Sequence, residues 1–181
     1  MINWLIRNRL AAFEKKFEYD MTYARDILAA DRAAFFAFAK LMKMSEYRKG
    51  VPRDPYFAAK LVGTLTEDCG PCTQLAVTMG LDQGADPKQL AAVIAKDVAV
   101  MSDDVKLAVS FARTSLAHDP EADNHRDEIV KRWGPQGLVS LAFAIAAARV
   151  YPTLKYALGH GKTCQRVVVA GKPVAVVHDA A

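Results

Sequence analysis

Leu65-Thr66-Glu67-Asp68-Cys69-Gly70-Pro71-Cys72-Thr73-Gln74-Leu75 places two cysteines three positions apart, where one helical pattern stops and another starts. Upstream, Asp54-Pro55 sets an N-cap acid before a first-turn proline, a good helix start. Tyr56, Leu61, Val62 and Leu65 follow at helical spacing. Thr66-Glu67-Asp68 interrupts that pattern. The next helix is expected from near Cys69 to about Met79, with Gly80 as its stop. Pro71 fits this placement, because proline is tolerated in a first turn and costly in a helix interior. The dithiol therefore opens a helix. Cysteines at that spacing lie on one side of the turn, close enough to bridge. Free N–H groups and the helix dipole favour a thiolate there, the species that attacks a disulfide or a peroxide. Pro71 stiffens the turn, and Gly70 leaves one side open to a partner.

Helical periodicity extends in both directions. Ile6, Leu10, Phe13, Phe17, Met21, Ala24 and Leu28 recur at steps of three and four, the mark of one long N-terminal helix. A second helix is expected from Asp31 to Tyr47, ended by Gly50 and Pro52. Asp86-Pro87 repeats the start signal ahead of Leu90, Val93, Ile94 and Val98. Ser102 is the next expected N-cap. Asn124 is expected to cap a short helix ending at Gly134. The almost uniformly apolar run from Pro135 to Val150 reads as a central helix stopped by Pro152. The tail changes period: Val167-Val168-Val169 and Val174-Ala175-Val176-Val177 flank Ala170-Gly171-Lys172-Pro173, a short β-hairpin that must pack on the helices or on another subunit. The fold class is all-α with a short C-terminal β-hairpin. One domain is expected over 1–181, with a helical extension (1–50), a core (54–160) and the hairpin (164–178).

The chain has 181 residues, 52% of them hydrophobic and 24% charged, enough for one core and incompatible with wholesale disorder. The net charge of +4 is spread along the chain. No basic segment interleaved with aromatics points to nucleic acid. Arg7 and Arg9 break the apolar N-terminus, so no signal-peptide region is read there. Leu138 to Ala148 is too short for a membrane span. A cytoplasmic protein without membrane or nucleic-acid partners is expected.

The cysteines and histidines admit other readings. Half of a zinc site needs a second pair of Cys or His at short spacing, and Cys164 and the scattered histidines do not supply one. No metal and no organic cofactor is expected. Cys164 reads as a small half-buried side chain, and the 69/72 pair itself can be inert core. Cys-Gly-Pro-Cys is also the thioredoxin active-site sequence, but that fold sets it after a β-strand, and strand patterns are missing from the first 160 residues here. The run from His118 to His125 reads as a solvated loop with helix caps. His160 suits a helix C-terminus, and His178 lies near the chain end. Trp4 and Trp133 are expected to pack.

A helical chain with a CxxC opening one central helix resembles the alkylhydroperoxidase AhpD / carboxymuconolactone decarboxylase superfamily. The similarity covers roughly residues 54–160, through the helix from Asp54 to Leu65, the Cys69-Gly70-Pro71-Cys72 helix start, the Gly80–Pro87 connection and two later helices. In the peroxidase branch a glutamate before the first cysteine and a histidine after the second form a proton relay. Those positions are Phe57 and Ala76 in this chain. The dithiol carries over and the relay does not. Glu67 and Asp68 are the nearest substitutes. A carboxylate there can accept a proton, yet it also raises a neighbouring thiol pKa by like-charge repulsion, and Asp68 serves equally well as an N-cap.

The resemblance implies a thiol–disulfide oxidoreductase with catalytic residues Cys69 and Cys72; the absent relay leaves only weak alkylhydroperoxidase activity to expect, with Glu67 as the candidate catalytic carboxylate in its place. Its substrate would be a peroxide or a disulfide, its reductant a protein or small thiol. Cys69, expected to be the more exposed, attacks in a thioredoxin-like exchange and Cys72 resolves. In AhpD-like peroxidases the second cysteine is the activated one, which reverses the order. Alternatives are a non-catalytic binding or assembly relative and a carboxymuconolactone decarboxylase-like enzyme. The resemblance implies a homo-oligomer, a trimer or a multiple of it, with a dimer as the alternative. The apolar N-terminal helix face and the Val-rich hairpin supply a second reason, since both need covering.

Overall fold

A computed structural model describes residues 2–162 and 166–177. Among them the chain forms eight helices and one hairpin: α1 (Ile2–Phe17), α2 (Thr22–Ala30), α3 (Arg32–Glu46), α4 (Arg53–Thr66), α5 (Gly70–Asp82), α6 (Pro87–Ala95), α7 (Asp103–Ala117), α8 (Ala122–Ala157), β1 (Arg166–Val169) and β2 (Lys172–Ala175). The fold is all-α with a short antiparallel β-hairpin.

The enclosed helix is α4, not the apolar 135–150 segment. Every residue from Pro55 to Thr64 is buried, because α4 packs against α5, α6, α7 and α8 at once. Its Gly63 lets α8 come close: a Cβ there would sit 2.9 Å from Ala148 Cβ and 3.0 Å from the Ile145 carbonyl oxygen. By contrast, α8 leaves Val139 and Phe143 exposed. One apolar core joins α4 to α7, α8 and the hairpin. A second gathers Leu10, Tyr19, Tyr23, Phe35 and Phe38 with Leu75 and Tyr151.

The expected single N-terminal helix is two. The chain turns at Glu18 (φ 50°), and local polar groups hold the turn. Met21 N–H donates to Glu14 Oε1 at 2.8 Å, Arg25 pairs with Glu14 at 2.6 Å, and Asp20 accepts from both Thr22 N–H and its hydroxyl. The apolar spacing runs through the turn unbroken because Met21 is buried at the bend itself.

Other boundaries moved as well. Asp54 lies in the first turn of α4 behind an N-cap at Pro52, and its Oδ1 accepts from Asp86 N–H at 2.9 Å. Helix α5 runs through Gly80, where a Cβ would press on Leu90 and Phe57, and the positive-φ glycine is Gly84. Helix α6 ends at Ala95 with Lys96 left-handed, so Val98 is exposed. Asn124 lies inside α8 rather than capping it. Gly134 (φ 70°, ψ 176°) breaks α8, and its second segment passes the buried Pro152 to reach Ala157, since a proline forfeits one backbone bond that packing can offset. By length and composition α8 is apolar enough to cross a bilayer, contrary to the shorter run read from sequence, and about half of its apolar window is buried in the protein. Asp31, Asp86 and Ser102 cap α3, α6 and α7 as expected.

The hairpin pairs Val167 with Val174 and Val169 with Lys172. Ala170 and Gly171 both take positive φ, the primed turn that suits a two-residue hairpin. It is covered by its own chain: Val167 and Val169 are buried against the core, and Gln74 brackets Val168, accepting from its N–H at 2.7 Å and donating to its carbonyl at 2.9 Å.

Candidate active site

Cys69 is the N-cap of α5, with Pro71 in the first turn. Asp68, expected as the cap, instead takes a left-handed backbone (φ 48°). Cys69 and Cys72 are joined as a disulfide, their Cα atoms 5.3 Å apart. The Cys69 carbonyl accepts from Thr73 N–H at 2.9 Å and from its hydroxyl at 3.0 Å, which ties the cap to the helix. Gly70, expected to be open, donates its N–H to the Lys162 carbonyl at 3.1 Å, so the segment after α8 crosses the helix start. Cys69 is fully buried, and Cys72 is the sulfur with residual exposure. That reverses the expected order of exposure.

Cys72 lines an apolar cavity of about 80 Å³ between the two cores, walled by Phe13, Tyr19, Tyr23, Phe38, Met79 and Tyr151. Polar groups stand in its wall and behind it. Tyr19 Oη is 3.8 Å from Cys72 Sγ, and Lys155 Nζ donates to Tyr19 Oη at 3.3 Å. Lys155 is buried, its ammonium 4.6 Å from the Tyr19 ring centre and 5.4 Å from that of Tyr23. Burial pushes the Lys155 pKa down, partly opposed by Asp20, and pushes the Tyr19 hydroxyl up to about 12 against the hydrogen bond of Tyr23. On the far side Lys60 Nζ donates to the Ser45 carbonyl at 2.6 Å beneath the Tyr56 and Phe57 rings, and burial takes its pKa down to about 8. Tyr151 Oη is buried with no hydrogen-bond partner among the described residues.

The other sequence candidates fall elsewhere. Glu67 turns to α8, where Arg149 Nε donates to Oε1 at 2.5 Å and the Thr153 hydroxyl donates to Oε2 at 3.2 Å. An ion pair is the stronger partner for a carboxylate than an apolar cavity wall, so Glu67 is held at the end of α4. Phe57 is fully buried core, and Ala76 lines the cavity beside Cys72. His118 ends α7 in a left-handed conformation, and His125 Nδ1 is 3.2 Å from Thr114 Oγ1. His160 contacts Asp26 at 2.9 Å. Trp133 packs against the core, whereas Trp4 is exposed, contrary to expectation. Cys164 and His178 lie outside the described residues. Among the described residues no three His, Cys, Asp or Glu gather to hold a metal.

Tyr19 and Lys155 escaped the sequence reading. Tyr19 sits in the turn that was read as helix, and Lys155 is 83 positions beyond Cys72 in a segment read as ended by Pro152. The one cue was a lysine inside the apolar run Val150-Tyr151-Pro152-Thr153-Leu154-Lys155. Compared with protein-family models, with curated proteins and with solved structures, the chain finds no match.

Proposed function

We propose that this chain is a thiol–disulfide oxidoreductase of the AhpD-like type in which Cys72 attacks and Cys69 resolves. The observation that carries the reading is the Cys69–Cys72 pair at the start of α5, with Cys72 alone of the two lining a cavity. The reduced pair works as two nucleophiles in sequence. The Cys72 thiolate attacks one sulfur of a substrate disulfide and expels the other as a thiolate. The Cys69 thiolate then attacks Cys72 Sγ, closes the internal disulfide and releases the second substrate thiolate. Two electrons pass to the substrate. With an organic hydroperoxide, Cys72 takes the terminal oxygen, the alcohol leaves with one proton, and Cys69 condenses with the sulfenic acid to release water. A protein or small-molecule thiol regenerates the pair. The apolar walls favour a small apolar substrate over a folded protein disulfide.

Turnover of 5,5′-dithiobis(2-nitrobenzoate) and of cumene hydroperoxide with excess dithiothreitol tests this. The expected result is turnover lost in Cys72→Ser and in Cys69→Ser, with mass spectrometry showing the pair cycling by two hydrogens. A folded protein whose sulfurs do not interconvert overturns it. A non-catalytic binding or assembly role is the second reading. It is favoured by Phe57 and Ala76 standing where the resemblance places a proton relay, and an unreactive Cys72 would select it.

A further inference from the structure

The polar group that reaches Cys72 Sγ is the Tyr19 hydroxyl. A disulfide sulfur carries no proton, so the hydroxyl is the donor. Its oxygen in turn accepts from Lys155 Nζ. The contact is directional, from ammonium to phenol to sulfur, and its members come from the α1–α2 turn, α8 and α5. Both Tyr19 and Lys155 are buried.

We propose that Tyr19 is a catalytic residue whose hydroxyl donates a hydrogen bond to the Cys72 thiolate, and that Lys155 is the positioning residue that holds that hydroxyl in place. This rests on the reading of Cys72 as the attacking sulfur. Reduction turns Cys72 into a thiolate at the end of the chain of donors. A charge-assisted hydrogen bond to a thiolate is stronger than one to a neutral sulfur, and the ammonium behind it acts through apolar surroundings that screen little. Among the described residues Asp20 acts on Lys155 without forming an ion pair with it, so the thiolate adds a second counter-charge on the sulfur side. When Cys72 reduces a hydroperoxide, the departing alkoxide takes its proton from Tyr19 Oη, and Lys155 re-protonates the phenolate. A neutral amine is left until a solvent proton returns, so the step balances.

Other charges face this chain. Asp20 acts on both Tyr19 and Lys155, Lys162 opposes the charge of Lys155, and Tyr23 and Tyr151 bear on Tyr19. Lys60 and Glu46 lie across the cavity. None of these has a hydrogen bond to Cys72, so the effect on the sulfur is assigned to Tyr19.

The experiment uses full-length Cys69→Ser protein, in which Cys72 is a free thiol without any reduction step. Iodoacetamide labelling of Cys72 is followed against pH by peptide mass, which separates it from Cys164. The expected midpoint lies below the ordinary thiol value of about 8.5. Adding Tyr19→Phe or Lys155→Met raises it by about one pH unit, about ten-fold less thiolate at pH 7, and Lys155→Arg recovers most of the loss. Global 3-fluorotyrosine labelling keeps side-chain size while acidifying the phenols, and lowers the midpoint. A midpoint at or above 8.5, no labelling at any pH, or a midpoint indifferent to all of these changes overturns the proposal. Indifference in a protein that still turns over disulfides leaves the oxidoreductase reading standing. A midpoint that responds in a protein without turnover does the opposite.

Discussion

Phe57 and Ala76 occupy the positions at which the family resemblance sets a glutamate and a histidine, and their surroundings explain why one substitution cannot rebuild a relay. Ala76 lines the cavity beside Cys72, but Phe57 is fully buried against Gly80. Ala76→His alone is expected to leave hydroperoxide turnover within about two-fold of wild type under one reductant, because the imidazole gains no acid partner. Peroxide consumption assays read this, and a rise of ten-fold or more contradicts it. Lys60 gives a stability signature instead. Its pKa falls from 10.5 to about 8 in the folded protein, so between those values the unfolded chain binds a proton that the folded chain does not. Stability therefore rises with pH from about 8 toward 10, by an amount on the order of 2 kcal/mol from this group. Above pH 10 the buried tyrosines, with raised pKa values, reverse the trend. Lys60→Met is expected to flatten the rise, and urea unfolding at pH 7.5, 9 and 10 measures it.

Helices begin where local chemistry says they do and end where packing says. Asp31, Asp86 and Ser102 cap by hydrogen bonds within two or three residues, and all three were legible. Ser102→Ala is expected to cost about 1 kcal/mol in thermal or urea unfolding. The endings of α5 and of α8 were misplaced, because Gly80 and Pro152 signal a stop locally while the core accepts them. Gly80 is a contact between α5, α4 and α6, and Pro152 is buried beside the second core. The α4–α8 contact is the tightest of these crossings. Gly63→Ala drives a methyl into Ala148 and the Ile145 carbonyl, and is expected to destabilise by roughly 1–3 kcal/mol. An unchanged melting temperature in Gly63→Ala would mean that α4 and α8 separate more easily than their contact implies.

Among the described residues apolar surface is exposed at several places besides Val98, Val139 and Phe143. Ile2, Trp4 and Leu5 are exposed at the start of α1. A groove between α7 and α8 is lined by Phe111, Leu116, Ala142, Ala146 and Val150. The hairpin no longer argues for a partner, since α5 and α6 cover it. We still expect a homo-oligomer, a trimer or its multiple with a dimer as the alternative, because exposed apolar surface of this kind marks association sites and closed symmetry buries it without open-ended growth. Light scattering at micromolar concentration reads the mass directly. A stable monomer, folded by circular dichroism, contradicts the expectation.

Helical class, the C-terminal hairpin and the dithiol at a helix start were readable from the chain, because periodicity, caps and turn residues act over a few positions, whereas the two-residue turn Ala170-Gly171 was not separated from Lys172 and Pro173, which belong to β2. The turn at Glu18 was not readable, since Met21 keeps the apolar spacing through it. Cys69 is the more deeply buried of the pair, and the start of α5 is bonded to Lys162, 92 positions beyond Gly70, neither of which a local pattern reveals. The same holds for the cavity and its polar lining. Tyr19, Cys72 and Lys155 share no local pattern, and Glu67, near the thiols in sequence, is drawn to Arg149 instead. Those placements follow from how α1, α2 and α8 pack against α5, and packing joins residues without regard to their distance along the chain.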